Sequence, residues 1–262
     1  MKIIYELNPP KIIQNISVNI DSIRNEIDKF IYRSQVLTEY VNDIHITDSV
    51  LGIPRISSLQ AAAILMKNIK LNEKLSISCS IRTRDRNINS LIQVVTESVF
   101  LKITDLLLIL GDTPILFNNE LDSKILAFPT NTLKILNSLG FDKLINLNLS
   151  IPNKNIEPKI LEKKINSKPY GMVTQSINSL EEVKVLKKLL NPHSIKLIPC
   201  IMVPSEKNTK AAKIIGLDWK EYKENVLNLI IEVGKITNQI LITSPNDFYE
   251  GVKVLKQTKE LI

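Results

Sequence analysis

Two cysteines and two histidines stand in a chain of 262 residues, and that scarcity excludes several classes at once. Cys79 and Cys200 cannot form a disulfide framework. Both fall inside predicted strands, where a buried, inert thiol is the expected state. His45 and His193 have no ligand spacing to them, so a structural zinc site is not expected, and two histidines leave no Ser/His/Asp triad to read. No carboxylate-rich metal box appears. The chain also lacks any apolar run of roughly 20 residues and any apolar leader with a cleavage site. The expectation is a soluble cytoplasmic chain with no membrane partner. A Gly-rich phosphate turn is missing after the first strand.

What is present is a hydrophobic fraction of 44% and a net charge of +7. The first suffices for a large core. The length suits one α/β barrel or two smaller domains. The basic residues are dispersed among Asn, Glu and Ile and never cluster with aromatics, which argues against nucleic acid and remains compatible with an anionic substrate.

The chain is organised around the segment from Ser76 to Pro114. Ser76–Thr83 alternates apolar and polar residues, and 84–87 (Arg-Asp-Arg-Asn) form a charged tip. Ile88–Leu101 has helical spacing. Asp105–Leu110 is an apolar run, the mark of a strand covered on both faces. Gly111 and Asp112 break it.

The same strand–helix alternation recurs along the chain. Strands are predicted over Lys2–Glu6, Asp43–Thr47, Leu144–Ser150, Tyr170–Thr174, Ile195–Val203 and Gln239–Thr243. Helices are predicted over Val18–Tyr32, Ser57–Lys67, Thr130–Leu139 with Gly140 as C-cap, Glu157–Ile165, a stretch opened by Ser179 and Glu182 as a capping box, Lys207–Ile215, Trp219–Val233 and Asp247–Lys256. About eight alternations with no composition boundary give the arithmetic of a single-domain α/β protein, a (β/α)8 barrel over residues 1–262. A doubly wound open sheet is the runner-up.

In a barrel, the residues where strands end and helices begin converge on one mouth. Here they are Glu6, Thr47, Asp48, Arg84 to Asn87, Asp112, Asn153, Gln175, Ser205 and Asn246, with Asn118, Asn119 and Glu120 on a longer loop. Glu6 is the most informative. A carboxylate at the end of an apolar strand in such a mouth is partly desolvated, which raises its pKa and makes it a usable general acid. The competing reading pairs it with an arginine such as Arg84.

Taken in order, four motifs resemble the methylenetetrahydrofolate reductase family. Glu6-Leu7-Asn8-Pro9-Pro10 is similar to its Glu-x-x-Pro-Pro signature. Thr83-Arg84-Asp85-Arg86-Asn87 followed by Gly111-Asp112-Thr113-Pro114 is similar to its Cys-Arg-Asp-Arg-Asn and Gly-Asp-x-Pro segments. Met172 to Gln175 resembles its Ile-Thr-Gln strand, and Ile198 to Pro204 its Pro-Gly-Ile-x-Pro segment.

The resemblance spans nearly the whole chain and covers that family's catalytic barrel only. It implies a TIM barrel and a flavin-dependent reduction of 5,10-methylenetetrahydrofolate to the 5-methyl form, with FAD as cofactor and NADH or NADPH as electron source. By that resemblance Glu6 protonates the folate, Asp112 lies by flavin and pterin, and Gln175 contacts substrate. Thr47, Ser80, Arg84, Glu157 and Lys164 fall along the cofactor, the lysine suiting a diphosphate.

The chain departs from the family pattern at Ser80, where a histidine is common, and at Leu110, where some members have arginine. It departs again at the bulkier Leu147 to Ser150, and at Cys200, which replaces a glycine. These departures leave open a modified pterin, a diverged non-flavin form, and a binding subunit that takes electrons from a partner. Self-association into a homo-oligomer is expected of a barrel enzyme. An unrelated barrel aldolase or lyase would need a Schiff-base lysine at a strand end, but Lys2 and Lys196 lie at strand starts.

Overall fold

The computed structural model describes residues 1–14, 17–69, 75–113, 126–153 and 156–262. Eight parallel strands close into a barrel: β1 (Lys2–Leu7), β2 (Asp43–Ile46), β3 (Ser76–Arg82), β4 (Asp105–Ile109), β5 (Asn146–Ile151), β6 (Gly171–Ser176), β7 (Lys196–Met202) and β8 (Gln239–Thr243). Each pairs with the next, and β1 closes the ring by pairing with both β2 and β8. The helices alternate with them: α1 (Ile20–Leu37), α2 (Ser58–Asn68), α3 (Ile88–Phe100), α4 (Pro129–Ser138), α5 (Pro158–Ile165), α6 (Leu180–Leu190), α7 (Thr209–Ile214), α8 (Val226–Thr237) and α9 (Phe248–Leu261). None of these helices is long and apolar enough to cross a membrane.

Period-two alternation sorts the strand residues into two cores. Ile3, Tyr5, Ile44, Ile46, Ile77, Ile81, Leu106 and Leu108 point outward into the layer between sheet and helices. Burying each such side chain contributes about 1.5–3 kcal/mol, so this layer carries most of the driving force. A smaller cluster of Ile4, Leu107, Val173, Ile198, Cys200 and Leu241 fills the barrel axis. Apart from Leu107, the opposite inner wall, from β2 to β5, is polar, with His45, Ser78, Ser80 and Asn148.

Helix ends are set by local caps, that of Ser179 as expected. Asn87, at the end of the charged tip, accepts a hydrogen bond from the Ser90 N–H at 3.0 Å and opens α3. Ser179 accepts from the Glu182 N–H at 3.3 Å and opens α6. Gly140 takes φ +85° just past α4, the left-handed geometry that its C-cap role requires. The first and last helices run past their expected ends, to Leu37 and Leu261, and the helix expected over Trp219–Val233 starts late. The stretch from Trp219 runs as turns, and α8 starts only at Val226, where Asn225 caps the Asn228 N–H at 3.2 Å. Tyr222 holds the preceding segment down by donating to the Met202 carbonyl at 3.3 Å.

Candidate active site

A cavity of about 620 Å³ opens at the C-terminal mouth of the barrel. That is the end and the size at which barrels bind small molecules. Its floor includes Glu6, Leu107, Cys200 and Leu241. Burial pushes the Glu6 carboxyl above the usual carboxylate range, only partly offset by the hydrogen bond it accepts from Thr243 Oγ1 at 2.8 Å. No arginine neutralises it among the described residues. Arg84 instead turns its Nε to the Gly111 carbonyl at 3.2 Å.

Gln175 reaches the same cavity through a local irregularity. The pairing of β6 with β7 is regular up to Val173, then shifts so that Ser176 lies opposite Cys200. A regular strand would send alternate residues to opposite faces. The bulge instead brings Val173, Thr174, Gln175 and Ser176 to the cavity in succession. Thr174 Oγ1 secures the shifted register by accepting from the Cys200 N–H at 2.9 Å. Both cysteines are buried, as expected, and burial pushes both thiols far up.

Asp112 does not share the cavity with Glu6 and Gln175. Gly111, at φ +85°, lies against the Arg82 side chain so closely that a Cβ there would meet it at 2.7 Å. Beyond this turn Asp112 is exposed, and its carboxylate accepts from the Leu51 N–H at 2.8 Å. Thr47 and Lys164 stand one residue behind the wall. Thr47 donates to Asn8 Oδ1 at 2.7 Å, and Lys164 Nζ donates to the Ser150 carbonyl at 2.6 Å; Asn8 and Ser150 line the cavity. Burial lowers the Lys164 pKa. Glu157 is exposed before α5 and makes no cap bond. Asn118, Asn119 and Glu120 lie outside the described residues.

Ser80 points into the barrel axis, where its hydroxyl meets His45. Lys2 donates to Asp43 Oδ2 at 2.9 Å, and Ser78 donates to Asp43 Oδ1 at 2.6 Å. Because the Ser78 proton is spent on Asp43, its oxygen accepts from His45 Nδ1, 2.9 Å away. His45 Nε2 is then bare and accepts from Ser80 Oγ at 2.8 Å. The ring is a neutral Nδ1–H tautomer, and burial holds its pKa down to about 4.

A pH dependence follows. The unfolded chain takes up this proton near pH 6.5 and the folded chain only near 4, so stability falls as pH drops through that window, by up to about 3 kcal/mol. Urea midpoints measured across it should decline for the native chain and flatten for His45→Gln. A parallel decline in both would place the acid sensitivity elsewhere.

Sequence reasoning missed Arg82, which is buried. Its Nη2 bonds Asp85 at 3.0 Å and the Asp112 carbonyl at 3.2 Å, while Asp48 receives both the Arg82 N–H at 3.1 Å and Arg86 Nη1 at 3.0 Å. The Arg-Asp-Arg-Asn tip is therefore a brace, with Asp85 answered by Arg82 and Arg86 by Asp48. The alternation in β3 gave a signal for Arg82, since it puts that residue on the inner face.

No protein-family model and no curated protein matches the chain. Solved structures match in fold. The chain is similar to QR15, an aldolase, at TM-score 0.53 and 11% identity, covering 98% of this chain and 93% of that one. It is similar to N-acetylneuraminate lyase from Fusobacterium nucleatum at TM-score 0.51 and 12% identity, covering 98% and 74%. A GH99 endo-α-mannosidase from Bacteriodes thetaiotaomicron gives TM-score 0.61 at 10% identity, covering 98% and 97%. These similarities establish the fold: a TIM barrel. They carry no chemistry across. Lys2 lies at the far end of β1, paired with Asp43, and Lys196 at the start of β7 lies over the Tyr170 ring, so neither strand lysine reaches the mouth.

The residues that the family resemblance assigns to FAD do not fit that role as placed. Thr47, Ser80, Arg84, Asp112 and Lys164 each spend a polar group on the protein, and none of the five, nor Glu157, lines the cavity. Among the described residues, no group of three or more His, Cys, Asp or Glu could hold a metal ion.

Proposed function

We propose that the mouth cavity binds a reduced pterin carrying a 5,10-methylene bridge, and that the protein acts in its reduction to the 5-methyl form. The observation that carries this reading is Glu6: a half-buried carboxyl with a raised pKa on the cavity floor, in a cavity that Gln175 also lines. A carboxyl whose pKa is raised holds its proton to higher pH than a free one and can deliver it to N10 of the bridge. The bond from the bridging carbon to N10 breaks, its electron pair goes to N10, and an N5 iminium remains. A hydride from a reduced nicotinamide then completes the methyl group. Gln175, with both a donor and an acceptor, suits the pterin's edge.

The placement of the six would-be flavin residues favours a second reading, in which the chain holds the pterin and a partner subunit supplies the electrons. Both readings are tested by equilibrium binding of 5,10-methylenetetrahydrofolate, followed by anaerobic NADH oxidation with and without FAD. Binding in the ordinary range of about 1 μM to 1 mM with formation of 5-methyltetrahydrofolate is the expected result. Binding without turnover under either condition selects the partner-dependent form. Absence of binding removes both.

A further inference from the structure

We propose that the α1 side of the mouth is an anion-binding subsite, built by Lys11 and Arg55 with Arg33 and Lys29, for a phosphate or a pair of carboxylates at one end of an elongated ligand. Pro9 and Pro10 end β1 and send the chain out over the mouth, where it meets residues 53–56. The two segments run antiparallel: the Ile12 N–H donates to the Pro54 carbonyl at 3.1 Å and the Ile56 N–H to the Pro10 carbonyl at 2.9 Å. Lys11 and Arg55 lie directly opposite each other in this bridge. Opposed residues put their side chains on one face, and both line the cavity. Two like charges in that arrangement repel, so the pairing disfavours the empty state and rewards an anion between them.

The rest of the wall has the same sign. Lys29 and Arg33, four residues apart on α1, also line it. Glu26 is the carboxylate on this side; it pairs with Lys29 at 3.1 Å, and its charge also acts on Arg55. Lys11, Arg33 and Arg55 have no ion pair among the described residues. Arg33 lies over the Phe248 ring, 5.3 Å from its centre. Arg55 is anchored through Nη1 to the Pro9 carbonyl at 2.6 Å, while its Nε is buried without a partner among the described residues. A guanidinium fixed at one end through Nη1 keeps Nη2 for charge-assisted bonding to a planar or tetrahedral oxyanion.

The cavity is thus polarised, with the Glu6 carboxyl, its pKa raised by burial, on the floor and a cationic wall at the side. The subsite stands on these residues alone. That its occupant is the tail of the reduced pterin rests on the function proposed above.

The test titrates the full chain with pyrophosphate and, separately, with citrate by calorimetry at low and high ionic strength. Saturable binding near one probe per chain is expected, weakening as salt rises. Arg55→Gln should weaken it by about tenfold to a hundredfold, the range for a hydrogen bond to a charged group. Lys11→Gln is the second variant, because Lys11 is exposed and its replacement leaves the backbone bridge intact; a loss of about threefold or more is expected. Preference for pyrophosphate assigns a phosphate, and preference for citrate assigns clustered carboxylates. If neither probe binds, or if both variants bind like the native chain, the subsite is overturned. Arg55-dependent probe binding in a protein that ignores 5,10-methylenetetrahydrofolate keeps the subsite and removes the pterin.

Discussion

Glu6→Gln is expected to lower the rate of methylene-pterin reduction by about 10²- to 10⁴-fold, the usual worth of a positioned general acid. Pterin affinity should change little, because the amide oxygen can still accept the Thr243 hydroxyl and the side-chain volume is kept. Stability supplies an independent readout. Burial raises the folded-state pKa of Glu6, so the folded chain holds its proton to higher pH than the unfolded chain does. As pH rises from the unfolded value through the folded one, the native chain loses stability, because a buried charge is being created. The amide cannot ionise, so Glu6→Gln should melt higher than the native chain on the alkaline side and close to it on the acid side. Lower turnover with higher stability is the signature of a group held in a strained state for its chemistry. Unchanged turnover would end the acid role, and a lower melting temperature at all pH values would make Glu6 a structural residue. If a partner supplies the electrons, the rates are measured with that partner present.

The barrel was legible because each strand carries its own apolar run or apolar–polar alternation, bounded by a turn or cap that acts locally. Asp105–Ile109 needs no neighbour to be read as a buried strand, and Asn87 caps α3 through a bond three residues long. Glu6 and Gln175 were legible as strand-end polar residues, and they do meet in one cavity. Their meeting depends on a bulge in β6 that has no glycine or proline to announce it; only the pairing with β7 displays it. Asp112 was misplaced for a related reason. Its motif is a run of neighbours in sequence, while its position is set by Gly111 packing on Arg82 and by the Leu51 N–H, 61 residues away. The cationic wall was hidden because Lys11, Arg33 and Arg55 come from three separate segments. In the sequence they were part of a dispersed charge; the antiparallel crossing of two loops makes them one surface.

The polar inner wall is where the second large effect is expected. Asp43→Ala should destabilise the barrel by about 3 kcal/mol, the low end for breaking a buried pair because Lys2 keeps some contact with water. The Asp43 side chain is fully buried and collects three donors: Lys2 Nζ at 2.9 Å, Ser76 Oγ at 2.5 Å and Ser78 Oγ at 2.6 Å. Alanine leaves Lys2, among the described residues, with Asp105 at 3.8 Å as its one ion partner, and it leaves the Ser78 proton without the acceptor that fixes the His45 tautomer. For a chain of this size that loss corresponds to a fall in Tm of about 10 °C. Lys2→Met should recover part of it when combined with Asp43→Leu, since replacing both charges by apolar groups removes the uncompensated one. Thermal and urea unfolding of the single and double variants would measure the coupling. A double variant no more stable than Asp43→Ala would mean that the serine and histidine bonds, not the ion pair, hold this wall together. Asp43 and Lys2 open their strands at the end of the barrel away from the mouth, so pterin and anion binding should survive in every variant that folds. Loss of binding in a folded Asp43 variant would mean that the two ends communicate through the β2–β3 chain of Ser78, His45 and Ser80, which runs from Asp43 toward the level of Glu6, the residue paired with His45 in the β1–β2 register.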